Sequence, residues 1–105
     1  VLERAFLDDQ ADRKSPALDW KVVSQRDSER RTLVQRELDE KRVQTAADFY
    51  RAAMVFQHGP ETDDALKSRE LAQRSVQLDG TNKQARWLVA AATDRALMRQ
   101  VLPHF

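Results

Sequence analysis

Cysteine is absent from the 105 residues. That excludes disulfides, thiolate nucleophiles and cysteine-based metal sites, and it leaves the redox compartment open. Glycine occurs twice and proline three times. Two glycines cannot build a phosphate-cradling loop, a dinucleotide fingerprint or a nucleophile elbow, and so few breakers imply long elements. Excess charge of one sign is also missing. The formal net charge is +1, which gives no bulk reason to expect nucleic acid or an anionic membrane as partner. No apolar run approaches the roughly 20 residues that span a bilayer. What remains is an apolar content of 41% and a charged content of 33%, the balance of an ordinary soluble helical protein. The length suits one domain, residues 1–105, with a single modest core. The chain begins at Val1 without Met and stops at Phe105, so a processed or trimmed product is expected. Nothing chooses between a secreted and a cytoplasmic setting.

The apolar periodicity predicts five helices. The first runs from Val1 to about Lys14 on Leu2, Ala5 and Phe6, and Ser15-Pro16 breaks it. The second, from about Asp19 to Arg42, carries Trp20, Val23, Val34 and Leu38 on one face, with Asp27, Arg30 and Arg31 between them. Its alternating charges read as a salt-bridged, solvated face. Thr45 and Asp48 cap a third helix, apolar nearly all round from Ala46 to Phe56, which Gly59-Pro60 ends. The fourth starts near Thr62 to Asp64, with Ala65, Leu66, Ala72, Val76 and Leu78 inward and Gly80 as a left-handed cap. The fifth follows an Asn82 or Thr81 cap, from about Lys83 to Val101, and Pro103 stops it. Ala85, Leu88, Val89, Ala92 and Ala96 lie on one side of it, and Trp87, Ala91, Asp94 and Met98 on another stripe. No segment alternates like a strand. Short connections make successive helices antiparallel neighbours. The expected fold is all-α, with about five helices in antiparallel stacked hairpins.

Polar residues interrupt these faces in three places. The stripe of the first helix continues onto Asp9, Gln10 and Arg13, while Asp8 and Asp12 point elsewhere and should be solvated. Buried without a partner, such a group would cost a few kcal/mol, so either the face emerges from the core after Phe6 or Asp9 pairs with Arg13 four residues on. His58 sits in the last turn of the third helix, where unsatisfied carbonyls favour an imidazolium. It reads either as a structural cap or as an acid–base group oriented by Asp9 or Asp94. Asp94 and Arg95 interrupt the fifth helix, and Asp94 is expected in a buried ion pair or a polar pocket. Trp20, Tyr50, Phe56 and Trp87 read as core or as the lining of a ligand groove. Two histidines without suitable ligand spacing do not make a metal site, and no cofactor is indicated. The five serines have no hydrolase context.

Thr45 to Asn82 resembles one tetratricopeptide-like unit, through Phe49, Ala52, Ala53 and Phe56, then Ala65, Ala72 and Val76, then Leu78-Asp79-Gly80-Thr81-Asn82. Gly80 replaces the usual proline, the turn after Phe56 is long, and Lys83 onward resembles the first helix of a next unit. Asp9-Gln10 with Arg13, Phe56-Gln57-His58-Gly59, and Arg86-Trp87-Leu88 with Asp94-Arg95 are similar to the marks of an uncharacterised, mostly bacterial family of helical proteins. Members of that family continue into a Tyr-Gly-Thr-Gln-like segment, so a site using that segment would be incomplete here. The resemblance implies no established activity; it singles out residues.

Two functions are therefore expected in competition. One is a small helical interaction module that binds a protein or peptide segment, or a second copy of itself. The absence of a catalytic motif favours it, and it predicts no pocket where His58 meets a carboxylate. The alternative is an enzyme or small-ligand-binding domain whose polar pocket is built from Asp9, Gln10, Arg13, His58, Asp94 and Arg95. That version requires the six to converge within hydrogen-bond reach.

Overall fold

The computed structural model describes residues 2–14 and 19–101. The Ser15-Pro16 break, the Pro103 stop and the Trp20 side chain lie outside the described residues. Five helices follow in order: α1 (Leu2–Lys14), α2 (Trp20–Asp39), α3 (Ala46–Gln57), α4 (Thr62–Leu78) and α5 (Lys83–Val101). Among the described residues there is no strand, and no helix is long and apolar enough to cross a membrane.

Most of the boundaries follow from local chemistry. Asp19 caps α2 by accepting from the Lys21 amide at 3.0 Å, and Thr45 caps α3 by accepting from Asp48 N at 3.1 Å. Glu61 and Asp64 form a reciprocal capping box on α4. Asn82 caps α5 through the Ala85 amide at 3.1 Å. Two ends differ from expectation. Gly80 is not left-handed, since neither glycine has positive φ. Instead Asp79 closes α4 in an extended conformation, and its carboxylate accepts from Thr81 N at 3.0 Å and Thr81 Oγ1 at 2.6 Å. The left-handed residue is Lys41, with φ of 59°. Around it Lys41 N donates to Leu38 O at 3.0 Å and Arg42 N to Glu37 O at 2.9 Å, the two bonds of a Schellman cap, usually built on glycine.

Successive helices are antiparallel, so α1, α3 and α5 run the same way. The α1 C-terminus meets the first half of α2 through Asp12, Arg26 and Arg30. The Ser68 and Ser75 hydroxyls of α4 donate to Ala53 O and Ala46 O of α3, at 2.8 and 2.7 Å. These two serines, both fully buried, occupy the inner face with Ala65, Leu71 and Ala72. Leu66 and Val76 are only half-buried and Leu78 is 47% exposed, which corrects the inner face read from apolarity alone. Small residues let α3 and α4 approach closely, and hydroxyl-to-carbonyl bonds remove the cost of burying serine. The core gathers Leu2, Ala5, Val34, Val43, Ala52, Ala53, Val55, Phe56, Leu71, Ala72 and Leu88. Tyr50 packs tilted on Phe6, ring centroids 6.1 Å apart, and burial raises its phenol pKa. Trp87, at 61% exposed, and Met98, at 59%, lie outside the core and face outward.

Candidate functional site

The parallel run of α1, α3 and α5 brings their C-terminal ends to one end of the bundle. Helix C-termini carry partial negative charge and favour cations, and Arg13, His58 and Arg99 stand there. At the centre is Asp9 of α1, only 1% exposed. Its Oδ2 accepts from Gln10 Nε2 at 2.8 Å. Its Oδ1 accepts from Arg13 Nη1 at 3.0 Å and lies 2.8 Å from His58 Nδ1, across 49 positions of sequence. The expected i, i+4 pair with Arg13 and the contact with His58 therefore coexist on one oxygen.

A second layer of charge holds this group in place. Arg13 grips Asp27 of α2 with both terminal nitrogens, at 3.0 and 2.6 Å. Arg30 donates to the same Asp27 oxygen at 3.0 Å and also pairs with Asp12, which Arg26 reaches at 2.8 Å. Burial acts to lower the Arg13 pKa, but the hydrogen bond it donates to Asp27 and the charges of Asp9, Asp27 and Asp12 outweigh it and raise it. The hydrogen bond and charge of Arg30, with help from Arg26, lower the Asp12 pKa against a smaller opposing effect of burial. Asp12 is thus not a solvated residue, and the α2 face bearing Asp27 and Arg30 is not a solvated face. Both expectations are corrected. The buried residues of α2 are Val23, Asp27, Arg30, Val34 and Glu37, alternating by four and three, a seam that faces the stripe of Leu2, Ala5, Asp9 and Asp12 on α1. A signal for this existed in the sequence: the polar interruptions of two successive stripes have complementary charge.

The Gln57-His58-Gly59 turn contributes one device per residue. The Gln57 carbonyl, in the unsatisfied last turn of α3, accepts from Arg95 Nη1 of α5 at 2.5 Å. His58 is the C-cap of α3. Gly59 is buried, and a Cβ there would lie 2.3 Å from Asp64 Cγ and 2.4 Å from Asp64 Cβ, so only glycine fits beside the capping box. One helical turn beyond Arg95, Arg99 Nη1 donates to Glu61 O at 2.8 Å. Burial, then Arg99 and Arg13, lower the Arg95 pKa. Two buried polar atoms, Arg31 Nη1 and Gln57 Oε1, have no hydrogen-bond partner among the described residues.

Of the six residues singled out, Asp9, Gln10, Arg13 and His58 share direct contacts, and Arg95 joins them through the Gln57 backbone. Asp94 does not. It is exposed and has no hydrogen bond or ion pair among the described residues, because its stripe with Trp87 and Met98 looks outward. Its expected buried ion pair is corrected accordingly.

Comparison with family models, with curated proteins and with solved structures finds no match in any of the three. The site's own geometry therefore carries the functional reading. With neutral imidazole, Nδ1–H donates to Asp9 and the lone pair falls on Nε2. With imidazolium, Nε2–H becomes a donor. The His58 side chain is 17% exposed, and Nε2 has no hydrogen-bond partner among the described residues. Such a ring can accept a proton from a bound group or give one to it. Among the described residues, no group of three His, Asp or Glu is arranged to hold a metal ion.

Proposed function

We propose that this chain is a small-ligand-binding domain built around His58, with an imidazole capable of acid–base work. The observation that supports it most is the 2.8 Å contact between His58 Nδ1 and the nearly inaccessible Asp9. A carboxylate that fixes the tautomer and aims the ring is the arrangement by which histidine sites are commonly preorganised. Arg13, Gln10, Asp27 and Arg30 position Asp9 and do no chemistry themselves. Part of the pattern that resembles the uncharacterised bacterial helical family, Asp9, Gln10, Arg13, Gln57, His58 and Arg95, meets at one end of the bundle, which supports that kinship; Arg86, Trp87, Leu88 and Asp94 do not join it.

The test separates a site from a structural cap. Amide NMR spectra of the labelled protein are recorded with a panel of small polar molecules, for the parent and for His58→Ala. A site predicts shifts at Gln10, Gln57, His58 and Arg95 that disappear in the variant, whose stability falls by less than about 1 kcal/mol, as expected of a residue serving function and not folding. Absence of such shifts, with a loss above about 2 kcal/mol, would mark His58 as part of a purely structural network.

A second reading, the helical interaction module, rests on another surface. Trp87, Leu97 and Met98 on α5 are largely exposed, and the sequence from Lys83 onward resembles the first helix of a further tetratricopeptide-like hairpin. That supports binding of a protein or peptide segment there and leaves His58 uninvolved. Trp87→Ser with Met98→Ser would abolish such binding without altering ligand shifts at His58.

A further inference from the structure

The charges around His58 do not balance. Within the buried network Asp9, Asp12 and Asp27 face Arg13, Arg26 and Arg30, so that network is neutral on its own. Arg95 and Arg99 are additional. Each spends one nitrogen on a backbone carbonyl, Gln57 O and Glu61 O, on either side of the α3–α4 turn. Neither has a carboxylate within 4.0 Å among the described residues. The nearest acidic side chains of the turn, Glu61 and Asp64, are engaged in the capping box. Two guanidinium groups are thus anchored one helical turn apart on the turn that carries His58, with donors left over. Burial, then the charges of Arg99 and Arg13, disfavour the charged form of Arg95.

The geometry points to an oxyanion, a carboxylate or phosphoryl group, as the ligand chemistry of the His58 site, held by Arg95 and Arg99 with His58 Nε2 facing the bound molecule. This rests on the reading of His58 as a ligand site and adds the class of ligand. Guanidinium forks match the paired oxygens of both groups and hold them with charge-assisted bonds. Backbone anchoring reduces the side-chain freedom lost on binding.

The test uses the whole chain and three probes at constant ionic strength: inorganic phosphate, acetate and neutral acetamide. Binding is read from saturable shifts of the His58 ring and the Gln57 and Arg95 amides. Phosphate, acetate or both are expected to bind, and the stronger of the two identifies the source of the oxyanion. Arg95→Gln and Arg99→Gln should each weaken binding roughly tenfold, while Arg86→Gln, an exposed α5 arginine in the groove with Val76 and Gln77, should leave it unchanged. Each variant also loses one bond to a turn carbonyl, Gln57 O or Glu61 O, so the unfolding midpoint of each is compared with the parent's. Equal binding of acetamide and acetate, or unchanged phosphate affinity in both variants, would overturn the oxyanion assignment and leave the His58 site standing. No response of His58 to any probe would overturn both.

Discussion

Replacing Asp27 by alanine breaks the buried charge network between α1 and α2. Its carboxylate is 7% exposed and receives three hydrogen bonds, two from Arg13 at 3.0 and 2.6 Å and one from Arg30 at 3.0 Å. Removing one partner from a buried pair costs about 3–5 kcal/mol, because it leaves uncompensated charge inside. Arg30 is only 8% exposed. It keeps Asp12 as a partner and Arg13, 23% exposed, keeps Asp9, so the total is expected at the lower end, about 3 kcal/mol. A domain of this size has about 5–15 kcal/mol in all, and the loss should be plain in urea unfolding followed by circular dichroism. The matching surface control is Glu40→Ala, whose pair with Arg42 is about half exposed and should cost less than about 0.5 kcal/mol. A double-mutant cycle with Arg13→Ala should return a coupling of about 1–2 kcal/mol. If Asp27→Ala cost no more than the Glu40 control, the buried network would not hold α1 on α2, and the positioning of Asp9 would need another cause.

Other outcomes follow from single features. Gly59→Ala should destabilise by about 2 kcal/mol or more in the same assay, since the new Cβ meets Asp64 at 2.3 Å and displaces a helix cap; a change below about 0.5 kcal/mol would refute that packing. Lys41→Gly should stabilise by about 1 kcal/mol by relieving a left-handed lysine. Asp12 is ionised more readily folded than unfolded, so its contribution is present above its unfolded pKa and is lost as pH falls through the lower folded one. Stability should therefore decline in acid more steeply for the parent than for Asp12→Asn, checked by urea midpoints between neutral pH and pH 3.

Much of the fold was legible because helix signals are local. The caps at Thr45 and Asn82 and the break at Gly59-Pro60 stand where the side-chain chemistry placed them. The inner face of α4 was read poorly because serine can be buried once its hydroxyl finds a carbonyl of another helix, and no single helix reveals that partner. For the same reason Asp27 and Arg30 resembled a solvated charge pattern, and only the complementary interruption on α1 shows where they belong. The left-handed end of α2 carries a lysine, so no glycine marked it. For the site, Asp9, Gln10, Arg13, His58 and Arg95 were visible as interruptions or motif residues. Their meeting depends on α1, α3 and α5 running parallel, which is a property of the hairpin order and not of any segment. Asp94 misled because stripe membership says nothing about which stripe is inward.

The most direct test is the tautomer of His58. Long-range proton–nitrogen NMR spectra, taken at a pH where the ring is neutral, distinguish a protonated Nδ1 from a protonated Nε2. Asp9 at 2.8 Å from Nδ1 predicts that the proton resides on Nδ1, with Nε2 free to meet a ligand, and that Asp9→Asn disturbs this. A His58 that is protonated on Nε2, or that averages both forms as free histidine does, would contradict the account.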